Sequence, residues 1–489
     1  MKSYKKILNW IIRLVVVAIT IYLFRLNYVR IFEENLWGDE AFTGNIIRMS
    51  IPDLIHKTAI DVHPPLYYLV LKFYCAVFGQ SATIMHAFSL IPLAIMLVFS
   101  LTIGWKEFGY GYAILSVVLL NIADCSVRFN VEVRMYTLAA MLVFFSYIML
   151  YRILVNDGKL HDYLAFFLFS IAAAYTHYYA LIAVTFYYVV LFFIAIFNNK
   201  KQLKYIIMVC ILAIVSYLPW INILLQSFKS RINNYWIAEN SSYSECFNYL
   251  TSNTFNWGLW VLLVLATIIA FLYEIKLCRV TKLTNNEWKV GFYKDCKVSN
   301  RLLFVIAGFI SVIGTMAVGI IISDLFSPFF VTRYIYVVAP VFWLLMGVIL
   351  GRLQFGKVFV TVLAIFLYFK CLPQYQETAY WDVDFENRAL PVINSIQMVD
   401  DDDIIISNDG DCTIADYYFA EKNHFNIVNP DEINWDVEKD STIWIYMNDS
   451  WSIDMLYDAI DNNGFTYEAV VEGGILGKSV VNVYKIYKQ

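Results

Sequence analysis

Long apolar runs separated by short polar connections occupy most of the first 372 residues. A helix needs about 20 apolar residues to cross a bilayer. This length predicts membrane crossings near residues 8–28, 82–104, 110–127, 134–152, 162–176, 178–197, 203–224, 257–275, 302–322, 334–351 and 355–372. The pattern therefore predicts an α-helical polytopic membrane protein with about 11 transmembrane helices.

The stretch between the first two crossings, residues 27–80, contains a shorter apolar run. Residues 66–78 follow a double proline and carry Lys72, which is typical of a helix that lies along the membrane surface. Residues 27–80 then form one large loop on the outer side. A second outer loop, residues 227–256, is rich in aromatic residues and asparagine. It is either an ordered flap or a polar connection.

After residue 372 the pattern changes to short alternating segments bounded by turn residues. We predict strands at 403–407 and 442–446, a helix at 452–462, and a closing hairpin from 467–471 and 479–487. These elements predict a small soluble α/β domain. The chain therefore divides into a transmembrane domain, residues 1–372, and a soluble domain, residues 373–489.

Composition supports this division. The chain of 489 residues is 60% hydrophobic and only 16% charged, with a mean hydropathy of +0.60, which excludes an ordinary soluble protein. Residues 373–489 carry 23 acidic and 6 basic side chains, whereas the rest of the chain carries 17 and 30. The eight cysteines are scattered and indicate neither a zinc site nor a disulfide framework.

Basic residues in short loops set the orientation of a membrane protein, because such loops stay in the cytoplasm. With eleven crossings and a cytoplasmic N-terminus, most basic loops fall on the cytoplasmic side. The sequence thus predicts a multi-pass protein of the cell membrane whose C-terminal domain is extracytoplasmic. Its first partner is the lipid bilayer, and we expect no nucleic acid partner.

Two adjacent carboxylates, Asp39 and Glu40, follow the first crossing and Trp37. In a partly dry site the pKa values of such a pair separate, so that one acts as a general base while the other binds a cation or a substrate. The alternative is structural. Asp39 would cap a helix that begins at Ala41, and Glu40 would add a favourable charge to its first turn. Helix-start patterns alone leave both interpretations open.

A second polar cluster, Asp61 and His63, precedes the double proline. Proline presets its own φ and restrains the residue before it, so His63 is held in one direction and suits phosphate binding. The alternative is a helix that starts at proline, with the preceding polar residues facing water.

Further candidates stand near the ends of predicted crossings: Glu132, Arg134, Tyr136, His177, Tyr178, Arg333 and Tyr334. A helix from Glu132 would place Tyr136 on the same face and direct Arg134 elsewhere. Arg333 could hold a phosphate by a forked hydrogen bond, or anchor its helix at the lipid headgroups. Structural ion pairing at a helix end is the competing interpretation for the other charged residues.

The charged candidates come from five separate places in the sequence, yet helix counting puts all of them on the outer side. They are Asp39, Glu40, Asp61, His63, Glu132, Arg134, His177 and Arg333. Polar groups that converge at one face of a helical bundle are what a binding or catalytic site requires. The sequence therefore predicts a site at the outer face.

Six short motifs follow one another between residues 30 and 340: Trp37-Gly38-Asp39-Glu40-Ala41, Asp61-Val62-His63-Pro64-Pro65-Leu66-Tyr67-Tyr68, Glu132-Val133-Arg134-Met135-Tyr136, Thr176-His177-Tyr178-Tyr179-Ala180, Leu218-Pro219-Trp220, and Arg333-Tyr334 with Pro340. The ordered set resembles the GT-C-type membrane glycosyltransferases. Within these it is most similar to the bacterial branch related to protein O-mannosyltransferases and the lipid A aminoarabinose transferase.

The resemblance implies a hexosyl- or mannosyltransferase-like enzyme with a polyprenyl-phosphate sugar as donor and a glycan, lipid or protein as acceptor. Transfer takes place on the outer face with inversion at the anomeric carbon. Asp39 would act as the base, and Glu40 would assist or help bind a divalent cation, with His177 as a second candidate ligand. No other cofactor is expected, and the remaining candidates would bind the substrate and its phosphate.

Two other functions compete with transfer. A transporter or flippase of lipid-linked saccharides would also carry charged residues on its helices, but it should show related halves and charges near mid-membrane. The sequence shows no internal repeat, and its polar residues cluster at one face. A polymerase of lipid-linked saccharides would also use outer loops, but no pair of arginine-rich outer loops supports it.

Overall fold

The computed structural model describes residues 2–156, 158–197, 202–231, 241–252, 300–352, 355–408, 413–427, 429, 432–436, 442–448 and 451–488. In the membrane part the helices are α1 (Lys2–Tyr28), α2 (Gly38–Arg48), α3 (Ile51–Ile60), α4 (Leu66–Phe78), α5 (Ala82–Phe99), α6 (Trp105–Phe108), α7 (Tyr110–Ile122), α8 (Asp124–Phe129), α9 (Tyr136–Val155), α10 (Leu160–Thr176), α11 (Tyr178–Phe197), α12 (Leu203–Arg231), α13 (Tyr243–Leu250), α14 (Asn300–Leu325), α15 (Ala339–Leu350) and α16 (Gly356–Gln397). A 3₁₀ helix, Thr332–Val338, leads into α15.

The helical membrane fold predicted from the apolar pattern is confirmed. Within the described residues, eight helices are long and apolar enough to cross a membrane, and three shorter apolar helices accompany them: Leu66–Phe78, Tyr110–Ile122 and Leu160–Thr176. All predicted crossings except one fall on these helices. The predicted crossing at 257–275 lies outside the described residues.

Helix α4 is the short apolar helix that we predict at the membrane surface. Its inner side, which includes Tyr68 and Leu71, is buried, whereas Phe73 and Val77 are exposed. The ammonium group of Lys72 donates hydrogen bonds of 2.8 Å to the carbonyls of Ile47 and Met49 at the end of α2, where the helix dipole favours a cation. The helix therefore supports α2, and its position in a bilayer stays a prediction.

Helices α7 and α15 touch backbone to backbone at a pair of glycines. A Cβ atom on Gly347 would lie 2.5 Å from the Cα atom of Tyr112, and one on Gly111 would lie 2.7 Å from the carbonyl oxygen of Gly347. Small residues allow membrane helices to approach this closely. The contact holds α15, and the 3₁₀ helix before it, against the centre of the bundle.

The C-terminal elements form a five-stranded sheet. The strands are β1 (Ile404–Ser407), β2 (His424–Asn426), β3 (Ile443–Asn448), β4 (Phe465–Leu476) and β5 (Ser479–Lys488), and the helices are α17 (Thr413–Tyr418) and α18 (Ile453–Asn462). The order is β2-β1-β3-β5-β4, with β2, β1 and β3 parallel and β5 antiparallel to both neighbours. Side chains of α16 and α17 cover one face of the sheet, and side chains of α18 cover the other. The predicted α/β domain is confirmed, although β2 and α17 were not predicted.

Helix α16 continues through the predicted domain boundary at residues 372 and 373. Pro373 and the polar composition that follows it suggest a helix end, but the helix runs on to Gln397. Its polar half reaches back to the start of the chain, because Asp382 pairs with Arg30 at 2.7 Å. A single helix therefore joins the membrane bundle to the sheet.

Candidate active site

The first carboxylate motif stands at the start of α2, with Trp37 as the residue before the helix. The carboxylate of Glu40 turns back and accepts a hydrogen bond of 3.3 Å from the backbone N–H of Trp37. This is the arrangement of a capping box, in which the third helical residue satisfies a free donor at the helix start. Glu40, and not Asp39, therefore takes the capping role at this helix start.

The other contacts of Glu40 are also within the protein. Its Oε1 atom accepts a hydrogen bond of 2.8 Å from the backbone N–H of Val133 and lies 3.3 Å from Nε2 of His86. Glu40 and His86 are both buried. The residue thus joins three parts of the chain, the start of α2, helix α5 and the loop 130–135.

Asp39, in contrast, is one-third exposed and faces two arginines. Its Oδ2 atom lies 3.9 Å from Nε of Arg134 and 3.7 Å from Nη1 of Arg333. Arg134 also donates a hydrogen bond of 3.1 Å to the backbone carbonyl of Asp39. A solvent-accessible carboxylate between two guanidinium groups is the central feature of the site.

Arg134 lies in the loop between α8 and α9, and this corrects one expectation. The helix does not begin at Glu132 but at Tyr136, so the helical spacing argument does not apply. The backbone instead turns at 130–135, and Arg134 is buried against Asp39 and Thr43. The arginine that was expected to point elsewhere is the one that enters the site.

Asp61 and His63 face each other in the loop before α4. Oδ2 of Asp61 lies 3.5 Å from Nδ1 of His63. Burial opposes ionisation of Asp61, but the neighbouring His63 outweighs it and lowers the pKa of Asp61. Burial lowers the pKa of His63, even though Asp61 acts in the opposite direction. At neutral pH His63 is therefore a neutral imidazole that can exchange hydrogen bonds.

His177 stands in the break between α10 and α11, where the sequence predicts a turn. Its ring lies 5.6 Å from the rings of His63 and Tyr136 and 5.4 Å from the ring of Tyr334, centroid to centroid. Burial lowers its pKa well below the usual range, and the nearby His63, Arg134 and Arg333 act in the same direction. The positive charge of the site therefore comes from its arginines.

Several buried polar groups in this cluster have no hydrogen-bond partner among the residues that the structure describes. They include Nε2 of His177, the hydroxyl of Tyr136 and Oε1 of Glu132. Buried polar groups in proteins are almost always hydrogen-bonded. The polar interior beside Asp39 is therefore able to bind a polar ligand.

Glu132 is buried, and its Oε2 atom lies 3.4 Å from Nε of the half-exposed Arg128. Burial raises its pKa to about 6, against the lowering effect of Arg128 and with a smaller contribution from Glu40. The carboxyl group therefore titrates just below neutral pH, which is suited to proton exchange.

Tyr334 and Tyr178, two of the predicted site residues, have different neighbours in the structure. Tyr334 is in the cluster, since its ring stacks on that of Tyr179 at 5.0 Å. The hydroxyl of Tyr178 accepts a hydrogen bond of 3.2 Å from Trp220, and its side chain packs among residues of α10 and α12. The described contacts of Tyr178 are thus with a different set of residues from those of His177.

A divalent cation is not supported by the side chains that the structure describes. Among them, no group of three His, Cys, Asp or Glu residues could hold a metal ion. The proposed ligands Glu40 and His177 have separate surroundings. Glu40 contacts His86 and Val133, whereas Nδ1 of His177 accepts a hydrogen bond of 3.1 Å from the backbone N–H of Tyr179.

Two residues near the site were missed in the sequence. His86 is a single histidine in an apolar helix, and a buried core histidine has the same appearance in sequence. Lys478 comes from the C-terminal domain, in the turn between β4 and β5, and its ammonium group lies 3.9 Å from the ring centroid of Trp37. No local pattern could relate Lys478 to a motif more than 400 residues earlier.

No family model matches this sequence, and no curated protein is similar to it in sequence. Solved structures, however, match over almost the whole chain. ArnT from Cupriavidus metallidurans in the apo state has a TM-score of 0.57 and 13% identity, covering 98% of each chain. The same ArnT bound to undecaprenyl phosphate has a TM-score of 0.52 and 12% identity, covering 97% of this chain and 98% of the other. The bundle and the sheet domain together therefore have the fold of ArnT.

Proposed function

We propose that this protein transfers a sugar from a polyprenyl-phosphate donor to an acceptor, with inversion at the anomeric carbon. The acceptor is a glycan, lipid or protein of the cell envelope, and the reaction takes place on the extracytoplasmic face. The fold supports the choice of donor, because one of the similar ArnT structures holds undecaprenyl phosphate.

The proposal rests on the contact of two arginines with Asp39. The guanidinium groups of Arg134 and Arg333 lie within 4 Å of the Asp39 carboxylate. A guanidinium group is the side chain best suited to bind a phosphate by paired hydrogen bonds. A base beside two phosphate-binding groups is the minimum that transfer from a sugar phosphate requires.

In the proposed reaction the acceptor hydroxyl gives its proton to Asp39 as its oxygen attacks the anomeric carbon. The bond between that carbon and the phosphate oxygen breaks, and its electron pair leaves with the polyprenyl phosphate. Arg134 and Arg333 stabilise the charge that gathers on the departing phosphate. Attack on the side opposite to the departing group inverts the configuration.

The neutral cluster beside the arginines is suited to the sugar. His63, His177 and Tyr136 are buried and can exchange hydrogen bonds with hydroxyl groups without carrying charge. Aromatic rings also present apolar surface to a sugar ring. We therefore assign these three residues to sugar binding, and Glu132 to the same subsite.

Replacement of the base tests the proposal. We expect Asp39→Asn to lower turnover at least about 100-fold, because the amide cannot accept the acceptor proton. The assay uses purified protein, radiolabelled undecaprenyl-phosphate hexose and a cell-envelope extract, and it follows the label into the extract.

Asp53→Asn is the matched control, since Asp53 is an exposed carboxylate at the start of α3 in the same segment of the chain. Thermal unfolding in detergent shows whether each variant is folded. Full turnover in a folded Asp39→Asn variant would remove Asp39 as the base, and absence of transfer by the wild type would contradict the function itself.

A further inference from the structure

The turn between β4 and β5 docks beside the first carboxylate motif. The side chain of Asn35 donates a hydrogen bond of 2.9 Å to the carbonyl of Gly477, and its oxygen accepts one of 2.8 Å from the N–H of Gly477. Gly477 has φ +66, a conformation that favours glycine. The two reciprocal hydrogen bonds fix the position of the next residue, Lys478.

Lys478 and Arg128 both lie against the ring of Trp37. The ammonium nitrogen of Lys478 is 3.9 Å from the ring centroid, and the guanidinium carbon of Arg128 is 5.3 Å from it. Each cation is attracted by the ring, but the two repel each other. Within the described part of the chain, no carboxylate lies within salt-bridge distance of Lys478.

The charges around Lys478 agree with this geometry. Burial lowers the pKa of Lys478, and Arg128 lowers it further, whereas Glu132, Glu40 and Asp39 raise it. The ammonium group is therefore close enough to respond to the three carboxylates of the site and to Arg128. Arg128 already pairs with Glu132 at 3.4 Å, so an anion bound beside Lys478 would offset the repulsion that Lys478 receives from Arg128.

We infer that Lys478 and Arg128 form a binding subsite for an anionic group, a phosphate or a carboxylate, on the acceptor substrate. The inference rests on the proposed function and adds to it a part of the acceptor site supplied by the C-terminal domain. The donor phosphate has its own cations, Arg134 and Arg333, in contact with Asp39. Lys478 instead contacts Trp37, the residue before α2.

The first experiment compares Lys478→Gln and Lys478→Arg with a control on the same strand pair. Lys485 is the control, because its ammonium group also lies over a tryptophan, Trp444, at 5.1 Å, and Trp444 is in the sheet. We expect Lys478→Gln to raise the KM for the acceptor extract about tenfold, which is the loss typical of one hydrogen bond to a charged group. Lys478→Arg should retain a KM close to the wild type, and so should Lys485→Gln.

The KM for undecaprenyl-phosphate hexose distinguishes the two sources of an anion. A rise in the acceptor KM alone supports the inference. A rise in the donor KM alone places the donor phosphate at Lys478, and an equal rise in both KM values shows a general disturbance of the site. Either result overturns the assignment to the acceptor. An equal acceptor KM in Lys478→Gln and Lys485→Gln would show that Lys478 only helps to dock the domain. That result also overturns the inferred subsite.

A second measurement does not depend on a folded variant. Inorganic pyrophosphate is added to the wild type as a soluble anion, and acylation of Lys478 is followed by mass spectrometry, with Lys485 as the internal reference. We expect pyrophosphate to protect Lys478 and not Lys485, and to compete with the acceptor extract. Equal acylation of both lysines would contradict the subsite, whereas a wild type without transfer would contradict the proposed function.

Discussion

Asp39 and Glu40 are neighbours in sequence but have different surroundings. Glu40 is 4% exposed and has partners in three parts of the chain, so its loss would leave His86 and the N–H of Val133 without their partner. Asp39 is 33% exposed and faces the arginines. The division of roles follows from burial. We assign proton transfer to Asp39, and to Glu40 the positioning of the loop that carries Arg134.

The raised pKa of Glu132 makes its contribution to the stability of the protein depend on pH. Burial raises this pKa from 4.5 to about 6, so the folded protein binds the proton more tightly than the unfolded chain. The contribution of Glu132 to stability is then fully present below pH 4.5 and is lost as the pH rises through 6. The difference corresponds to about 2 kcal/mol. We expect Glu132→Gln, which cannot ionise, to unfold at a higher temperature than the wild type above pH 6.

Thermal unfolding in detergent at a series of pH values checks this expectation. The advantage of Glu132→Gln should shrink as the pH falls towards 4.5. Glu421→Gln serves as the control, because Glu421 is exposed in the C-terminal domain. A difference between wild type and Glu132→Gln that is constant over this range would show that the carboxyl group does not titrate there.

At the scale of elements, the segment between α1 and α2 is held from the C-terminal side. The carboxylate of Glu386, in α16, accepts hydrogen bonds from the backbone N–H groups of Glu34 and Asn35 at 2.9 and 3.1 Å. The hydroxyl of Tyr418 accepts a hydrogen bond of 2.7 Å from the N–H of Leu36. The start of α2, and with it Asp39, is therefore positioned by elements that the sequence places in a separate domain.

Gly477 tests this docking. An alanine there would adopt an unfavourable φ, at a cost of about 1–2 kcal/mol, and its Cβ atom would clash with Ile414. We expect Gly477→Ala to lower the temperature of thermal unfolding and to reduce sugar transfer, because the strained φ and the displaced end of the Ile414 side chain weaken the docking of the turn on Asn35. Both quantities are measured on the purified protein.

Gly464 provides the matched control for Gly477→Ala. It has φ +75 in the same domain, but no atom lies within 4 Å of a Cβ added there. Gly464→Ala should therefore lose stability through the unfavourable φ alone, without a clash. Its rate of sugar transfer should equal that of the wild type. Equal loss of transfer in both variants would assign the loss to the unfavourable φ that they share. Docking of the turn would then not be needed for activity.

At the scale of the molecule, the acidic C-terminal domain and the basic membrane part meet at α2. The side chain of Asn45 donates to the carbonyl of Thr413 at 3.0 Å, and Arg48 donates to the carbonyl of Tyr417 at 2.8 Å. The guanidinium group of Arg48 also lies 4.3 Å from the centroid of the Tyr417 ring. The candidate site and the C-terminal domain are therefore on the same side of the bundle.

This shared side makes the topology testable. We expect a topology reporter fused after Lys488 to indicate an extracytoplasmic position. A reporter inserted at Gly109, between α6 and α7, should indicate a cytoplasmic position. A cytoplasmic signal from the C-terminal fusion would reverse the orientation that we propose. It would place the candidate site on the cytoplasmic face, because the site and the C-terminal domain are joined by direct contacts.

Much of the fold follows from local sequence. The apolar lengths locate the membrane helices that the structure describes, and the alternating segments locate β1, β3, β4 and β5. Helix α16 is the informative exception, since the change in composition after residue 372 predicts an end where packing against the sheet continues the helix. Local patterns locate elements because a helix or a strand depends mainly on the residues within it.

For the site, local sequence identifies the candidate residues, and helix counting predicts that they share a side. Tertiary packing, in contrast, brings Arg134 to Asp39, Glu40 to His86 and the loop 130–135, and Lys478 to Trp37. These contacts join residues that are tens to hundreds of positions apart. Their geometry depends on how helices and sheet pack, and no periodicity within one element contains that information.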